Sequence, residues 1–383
     1  MLPLLKMDKL PEEVLVLILS HCKVKDLLSI AICNHRYNQL SKPLLWNAVA
    51  VPLNNSADIM LDNLKYTKTL TLANMGSSEE DISNERLTQI LEACNPKKVE
   101  ALVLRHRMHW LGRITTDMLL SMLNVLTDLR TLHIDALFWD IAGVKKTPSV
   151  AYEAAQCIIQ FRNLRDISMP SWFFNPLKKL LKENRLEKLK VYGYFDFDMF
   201  ELISTSTSLK HLVINCARST PDQNVTILSS LTNLQSLEID NVHLGHKTLY
   251  NFCNAFKHLR RLCLIGICCL EDNEIADLHL LPSLKVLDIS RSARKLTGHC
   301  LFYISKCLSL EKLCISQKTC ICEVDESTVV VDDIYCLNSM ENLKTIQIDS
   351  KDTKHVSTMV NDALCKEKDW NLRVEYGLVI LST

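Results

Sequence analysis

The chain has 383 residues, of which 48% are hydrophobic, and its 44 Lys and Arg residues balance 44 Asp and Glu residues. A net charge of zero excludes an overall attraction to nucleic acid or to an acidic membrane, so neither is an expected partner. The longest apolar run, Leu262 to Leu270, is much shorter than the roughly 20 residues of a membrane-spanning helix.

The first residues of the chain carry no export pattern. Met1 to Lys6 is too short and wrongly flanked to be a secretory signal. We therefore expect an intracellular protein, located in the cytoplasm, the nucleus or both.

Residues 10 to 46 predict three short helices. Pro11 suits a first helical turn, after which Val14, Leu15, Ile18 and Leu19 form one apolar stripe with Leu17 outside it. Asp26 stands at the start of a second helix that carries Leu27, Leu28, Ile30 and Ile32, and Pro43 precedes a last apolar turn with Leu44, Leu45 and Trp46. About forty residues bury too little surface to be stable alone, and this segment is unusually apolar, so it should pack against something else.

A second pattern, Leu-x-x-Leu-x-Leu/Ile, recurs along the rest of the chain. Clean copies begin at Leu129, Leu186, Leu209, Leu234, Leu259, Leu284, Leu310 and Leu343, and degenerate copies begin at Thr67, Val99 and Leu164. From Leu186 to Leu310 the starts are 23, 25, 25, 25 and 26 residues apart, which is a leucine-rich-repeat period. In each copy the second and third apolar residues should alternate inward along a short strand.

Between these strands the apolar spacing changes to that of a one-sided helix. Three such sets are Leu87, Ile90, Leu91 and Cys94; Leu119, Met122, Leu123 and Leu126; and Leu249, Phe252, Cys253 and Phe256. One strand and one helix cannot bury their apolar faces alone, so the units must stack. We predict an α/β leucine-rich-repeat solenoid, a horseshoe of about eleven strand–helix repeats, preceded by a small all-α domain of three helices.

The two parts together resemble a known family. The residues Leu10-Pro11-x-Glu13-Val14-Leu15-x-x-Ile18, Asp26-Leu27-Leu28, Cys33 and Leu44-Leu45-Trp46 are similar to an F-box, and an F-box followed by leucine-rich repeats resembles the F-box/leucine-rich-repeat proteins. The usual Cys-Arg-x-Trp step reads Cys33-Asn34-His35-Arg36-Tyr37 here, and Tyr keeps most of the aromatic area. The corresponding domains are an F-box at 1–50, a linker or N-terminal cap of the solenoid at 51–66, and the repeats at 67–383.

The resemblance implies a substrate receptor of an SCF-type cullin-RING ubiquitin ligase. The F-box would dock on a Skp-type adaptor and, through it, on a cullin and a RING protein, while the repeats would hold an unknown protein substrate. The implied adaptor-binding residues are Leu10, Pro11, Val14, Leu15, Ile18, Leu27, Leu28, Ile32, Tyr37, Leu45 and Trp46. The alternative is that this segment only caps the solenoid, but caps present a polar outer face.

Outward strand positions should line the concave face, and they supply candidate substrate-binding residues. These are Lys188, Lys190, Tyr192, His211, Glu238 and Asp240, to which the aromatic segment containing Trp172 is added. A lengthwise charge gradient is one interpretation of the outward positions. The first half supplies Arg105, His133, Lys188, Lys190 and His211 against Asp135 and Asp166, and the second half supplies Glu238, Asp240, Asp288 and Asp349 against Arg261 and Lys312. An ordinary solvated face explains the same residues.

Three segments interrupt the repeat period and are candidate loops: 138–148, 170–176 and 320–333. Insertions on solenoids often become binding loops. The aromatics Trp172, Phe173 and Phe174 can instead pack over the core, and the acidic residues between Glu323 and Asp333 can form an ordinary surface segment.

The sixteen cysteines predict buried thiols more than a metal site. Cys94 and Cys253 take apolar helix positions, whereas the spacing of Cys314, Cys320 and Cys322 lacks the paired arms of a structural zinc site. We predict no metal and no cofactor.

Catalytic motifs are absent from the sequence. It contains no G-x-S-x-G, H-E-x-x-H or G-x-G-x-x-G pattern, so we predict a non-catalytic receptor subunit. Two other functions stay open: a non-degradative leucine-rich-repeat interaction scaffold, and a receptor that uses a small molecule to recruit its target.

Overall fold

The computed structural model describes residues 10–52, 61–74, 84–106, 116–134, 153, 156–171, 174–267, 270–289, 292, 296, 299–316, 331–349, 354, 357–358, 364, 370–375 and 378–382. The chain divides into two compact units, Met1–Ser168 and Met169–Thr383. Of the three segments predicted to be loops, 138–148 and 320–330 lie outside the described residues, as do Trp172 and Phe173. The described ends of the other predicted loops are regular structure: Pro170 ends a strand, Phe174 begins a helix and Val331 begins a 3₁₀ helix.

The first unit begins with three helices, as predicted: α1 (Glu12–Ser20), α2 (Val24–Ala31) and α3 (His35–Leu45). The third helix differs from the prediction because it starts well before Pro43 and contains that residue. The Asn34 side chain explains the early start, since its oxygen accepts a hydrogen bond from the Tyr37 N–H at 2.9 Å and caps the helix.

Five parallel strands follow: β1 (Ala48–Pro52), β2 (Thr69–Asn74), β3 (Ala101–His106), β4 (Thr131–Ile134) and β5 (Asp166–Pro170). Helices α4 (Asn84–Ala93) and α5 (Thr116–Val125) and a 3₁₀ helix (Leu64–Tyr66) lie between them. The array therefore starts with β1, which precedes the first motif copy.

The second unit contains seven further strands of the repeat: β6 (Lys188–Gly193), β7 (His211–Thr220), β8 (Ser236–Val242), β9 (Arg261–Ile265), β10 (Val286–Asp288), β11 (Lys312–Ser316) and β12 (Thr345–Asp349). Consecutive strands pair in parallel, residue for residue at the start of each strand. Each of the eleven motif copies thus supplies one strand, β2 to β12, and the predicted leucine-rich-repeat fold is confirmed.

The connections in the second unit are more varied than predicted. Five are α-helices: α6 (Phe174–Lys182), α7 (Phe197–Ser204), α8 (Asp222–Thr226), α9 (His246–Ala255) and α10 (His299–Ile304). Others are 3₁₀ helices at Ile227–Ser230, Ala276–Leu280 and Val331–Ser339. The 3₁₀ helix at Ile227–Ser230 directly follows α8 within the same connection.

The last two strands reverse direction. Strand β14 (Leu378–Ser382) pairs antiparallel with β12, and β13 (Asn371–Glu375) pairs antiparallel with β14. This hairpin was not predicted, because its residues carry no copy of the leucine motif.

The core is a set of stacked aliphatic rungs. In the second unit Leu212, Leu237 and Leu262 are direct register partners on neighbouring strands and are fully buried. The four apolar residues of each predicted helical set are also buried. These sets begin at Leu87, Leu119 and Leu249. Polar side chains link successive repeats: Ser208 Oγ donates to the Leu186 carbonyl at 2.6 Å, and Asn233 Nδ2 donates to the Thr207 carbonyl at 2.9 Å.

Candidate functional site: an apolar three-helix surface and a charged strand face

Helix α3 holds the three-helix domain together. The Arg36 guanidinium donates to the Leu10 carbonyl at 2.9 Å and lies 3.8 Å from the Glu12 carboxylate, while Asn38 Nδ2 donates to the Ala31 carbonyl at 3.2 Å. The side chains of Leu15, Leu19, Leu27 and Tyr37 are buried among the helices. These bonds fix the start of α1 and the end of α2 against α3.

Two of the helices leave apolar side chains in solvent. The α1 stripe consists of Val14, Leu17 and Ile18, and the α2 stripe consists of Val24, Leu28 and Ile32. Leu17, Leu28 and Ile32 are 63%, 55% and 84% exposed. Residues at i, i+3 and i+4, or at i, i+4 and i+8, lie on one side of a helix. Such exposed apolar stripes mark interaction sites on small domains.

The structure separates the predicted adaptor-binding residues into three groups. Val14, Ile18, Leu28 and Ile32 belong to the exposed stripes, and Pro11 is exposed as well. Leu10, Leu45 and Trp46 are half-buried. Leu15, Leu27 and Tyr37 are buried, so they stabilise the domain and cannot contact a partner directly.

Three exposed apolar residues escape the sequence prediction. It leaves Leu17 outside the apolar stripe and does not single out Val16 or Val24, because it places Leu15 and Leu19 on one face with Val14 and Ile18. In the structure these pairs lie on different faces: one is buried and the other exposed. The continuous apolar run from Val14 to Leu19 is the available signal, since a helix with such a run has apolar residues on more than one face.

The strand face of the second unit carries charge at its outward positions. Lys188 and Lys190 are exposed, whereas Tyr192, His211, Glu238 and Asp240 are half-buried. Lys188 is the register partner of His211, and Glu238 and Asp240 lie one strand further, opposite Val213 and Asn215. Asn215 Nδ2 donates to the Asp240 carboxylate at 2.9 Å, and Glu238 lies 3.8 Å from the Arg261 guanidinium.

Basic and acidic residues also differ in their position along the strands. We define the strand-start rim as the first residue of each strand from β6 to β12 together with the residue just before it. The rim contains Lys188, Lys210, Arg260, Arg261, Lys285 and Lys344, all exposed, with half-buried Lys312. Its acidic residues are Glu187 and Glu311. Carboxylates lie further along the strands, at Glu238 and Asp240 on β8 and at Asp288 on β10. The corresponding position on β6 is basic, at Lys190.

Both rim glutamates are held by lysines. Lys210 Nζ lies 2.9 Å from the Glu187 carboxylate, and Glu311 accepts hydrogen bonds from Lys285 at 2.6 Å and from Lys344 at 3.3 Å. The hydrogen bonds from these two ammonium groups lower the pKa of Glu311. Glu311 therefore stays ionised. With both glutamates counted the rim keeps an excess of positive charge, although Arg261 also lies 3.8 Å from the Glu238 carboxylate.

Most of the repeat cysteines that the structure describes have buried thiols. Burial raises the pKa of Cys94 to about 11 and those of Cys253 and Cys307 to about 12. Cys263 and Cys314, on outward strand positions, are also buried, and Cys314 Sγ donates to the Gln347 side-chain oxygen at 3.1 Å. Cys320 and Cys322 lie outside the described residues. Among the residues that are described, no three His, Cys, Asp or Glu side chains are grouped to hold a metal ion.

A family model described as F-box-like matches residues 7–51. No curated protein matches the chain. Solved structures that are similar to this chain include an internalin (inlF) from Listeria monocytogenes strain 4b F2365. It has 13% identity, a TM-score of 0.41, and coverage of 84% of this chain and 87% of that one. Another is the TLR13–ssRNA13 complex, with 17% identity, a TM-score of 0.43, and coverage of 75% of this chain and 37% of that one.

The three helices thus form an F-box-like domain, and the strands form a leucine-rich-repeat fold. Within the described residues, no helix is both long and apolar enough to cross a membrane. An F-box-like domain joined to leucine-rich repeats is suited to bringing proteins together, because each part presents a surface for a partner.

Proposed function

We propose that the protein is the substrate-recognition subunit of an SCF-type cullin-RING ubiquitin ligase, itself non-catalytic. The F-box-like domain binds a Skp-type adaptor, which connects it to a cullin and a RING protein. The repeats hold the target protein. The observation that carries this proposal is the pair of exposed apolar stripes on α1 and α2, within the segment that the F-box-like model matches.

The stripes suit a permanent partner better than solvent. Leu17, Leu28 and Ile32 would be covered by an apolar groove on the adaptor, and each side chain that becomes fully buried contributes about 1.5–3 kcal/mol. The buried residues Leu15, Leu19 and Tyr37 keep the stripes in place. A domain that only capped the solenoid would carry polar residues at these exposed positions.

The test uses the full chain with a Leu17→Asp and Leu28→Asp double substitution. Both positions are exposed, so the variant should fold and melt like the wild type while losing co-purification of the Skp-type adaptor and the cullin. The matched control is Leu308→Asp, since Leu308 is 68% exposed and belongs to the second unit. Recovery of adaptor and cullin by the double variant at the level of the control would refute adaptor docking through the stripes.

The same variants separate a degradative receptor from an interaction scaffold. For a receptor, proteasome inhibition should enrich ubiquitinated partners on the wild-type protein and on Leu308→Asp, but not on the double variant. A chain that binds adaptor and partners without any increase in ubiquitinated partners would instead be the non-degradative scaffold.

A further inference from the structure

The strand-start rim concentrates positive charge along one edge of the strands in the second unit. It has seven Lys and Arg residues and two Glu residues over seven consecutive strands, a net charge of +5 in a chain whose total is zero. The two glutamates already bind Lys210, Lys285 and Lys344. Concentrated charge of one sign attracts a partner of the opposite sign and speeds its association.

The length of the rim limits the kind of partner. Neighbouring strands lie about 4.8 Å apart, so seven strands span about 29 Å. An extended polypeptide rises about 3.3 Å per residue, and about nine residues would follow the rim from β6 to β12. The positive charges recur on six of the seven strands, β8 being the exception with Gln235 and Ser236.

The carboxylates beside the rim favour a polypeptide over a nucleic acid. Glu238, Asp240 and Asp288 lie further along strands β8 and β10 and would repel a phosphate backbone laid across the same face. Single-stranded nucleic acid also needs aromatic platforms for its bases, and Tyr192 alone supplies a phenyl or indole ring among the first five residues of the described strands β6 to β12. Side chains of an extended peptide alternate between two sides, so one edge can be acidic and the other neutral or basic.

We propose that the strand-start rim binds an acidic polypeptide segment in extended conformation, with Asp or Glu at every second residue. The acidic edge faces Arg260, Arg261 and Lys285, and the opposite edge faces the carboxylates of Glu238 and Asp288. This assignment names the class of target and therefore rests on the proposed function of the repeats.

The test measures binding of fluorescent peptides of about ten residues to the full chain by anisotropy. The probes are a peptide of alternating Glu and Ser, one of alternating Lys and Ser, and an oligouridylate of similar length. The Glu–Ser peptide should bind most tightly, and its affinity should fall as salt rises. Tighter binding of the oligouridylate, or equal binding of the two peptides, would overturn the proposal.

The rim variant is Arg260→Gln with Lys285→Gln, on neighbouring strands. It should weaken binding of the Glu–Ser peptide about tenfold, the effect of losing two exposed ion pairs. The matched control, Lys178→Gln with Lys179→Gln, removes the same charge from exposed positions on α6 and should change the affinity less than twofold. An equal loss in both variants would show that net charge, and not the rim, attracts the peptide.

Co-purification of the adaptor distinguishes this proposal from the proposed function. The rim variant should still recover the Skp-type adaptor, because its substitutions lie in the second unit. A wild-type chain that recovers adaptor but does not bind the Glu–Ser peptide would refute the acidic partner alone. Loss of adaptor binding through the α1 and α2 stripes is measured separately.

Discussion

At the residue scale, alternation along each strand decides which side chains stabilise the fold and which are available to a partner. Leu237 and Glu238 are neighbours in sequence, yet Leu237 is fully buried between Leu212 and Leu262, while Glu238 reaches solvent beside Arg261. A shift of one residue in register would exchange these roles.

Substitution of this pair by alanine should therefore give very different losses of stability. Leu237→Ala removes a fully buried side chain from the stacked rungs and should lower the free energy of unfolding by about 2–5 kcal/mol. Glu238→Ala removes a partly exposed carboxylate 3.8 Å from Arg261 and should cost less than about 1 kcal/mol. Thermal or urea unfolding of the two variants measures this difference, and equal losses would mean that the register of β8 is inverted.

At the element scale, helix α3 depends on a cap that lies outside its apolar pattern. The Asn34 side chain accepts from the Tyr37 N–H, and the chain then runs through Pro43 before the helix ends at Leu45. Helix α3 in turn binds Leu10 and Ala31 through Arg36 and Asn38. Both stripe-bearing helices are thus bonded to the first half of α3, the end of the helix that Asn34 caps.

Replacing Asn34 with Ala should weaken α3 by about 1 kcal/mol, the usual value of an N-cap. Backbone amides in the first turns of α3 should then exchange with solvent about fivefold faster, which hydrogen-exchange mass spectrometry can detect. The comparison variant is Lys25→Ala, an exposed change on α2 that should leave exchange in α3 unaltered. Unchanged exchange in Asn34→Ala would show that the cap is dispensable.

The elements could be predicted from the sequence where burial follows a simple period. The motif copies gave strands β2 to β12 and the i, i+3, i+4 spacing gave α4, α5 and α9. The start of α3 could not be found this way, because a cap is a local hydrogen bond without an apolar pattern. The exposed and buried sides of α1 also escaped prediction, since both are apolar and only packing against α3 separates Leu15 from Val14. The roles of the individual adaptor- and substrate-binding residues stay predictions.

At the scale of the whole molecule, the buried thiols couple stability to alkaline pH. Cys94, Cys253 and Cys307 have an ordinary thiol pKa near 9.0, and burial raises it to about 11, 12 and 12. The folded state therefore keeps these protons when the unfolded state releases them. The stability that they contribute is fully present below pH 9 and is lost as the pH rises towards the folded values.

The melting temperature should accordingly stay level from about pH 7 to pH 8 and fall from about pH 9 upwards. A Cys253→Ala variant should be less stable at neutral pH, since it loses a buried side chain, but its melting temperature should fall less steeply above pH 9. Scanning calorimetry across this range provides the measurement. A wild-type curve that is level to about pH 10.5, or equal slopes for the two proteins, would contradict the role of buried thiols.

The regular register between β7, β8 and β9 makes the array adjustable in length. Strand β8 meets both neighbours through five consecutive pairs, and the motif starts around it are 25 residues apart. A tandem duplication of residues 234–258 would therefore insert a complete extra rung with compatible edges on both sides. It would move Lys210 and Arg260 about 4.8 Å further apart and require a longer ligand. No such addition fits beyond β12, because β14, the strand paired with it, runs the other way. Growth of the repeat by duplication is therefore confined to the interior of the parallel series.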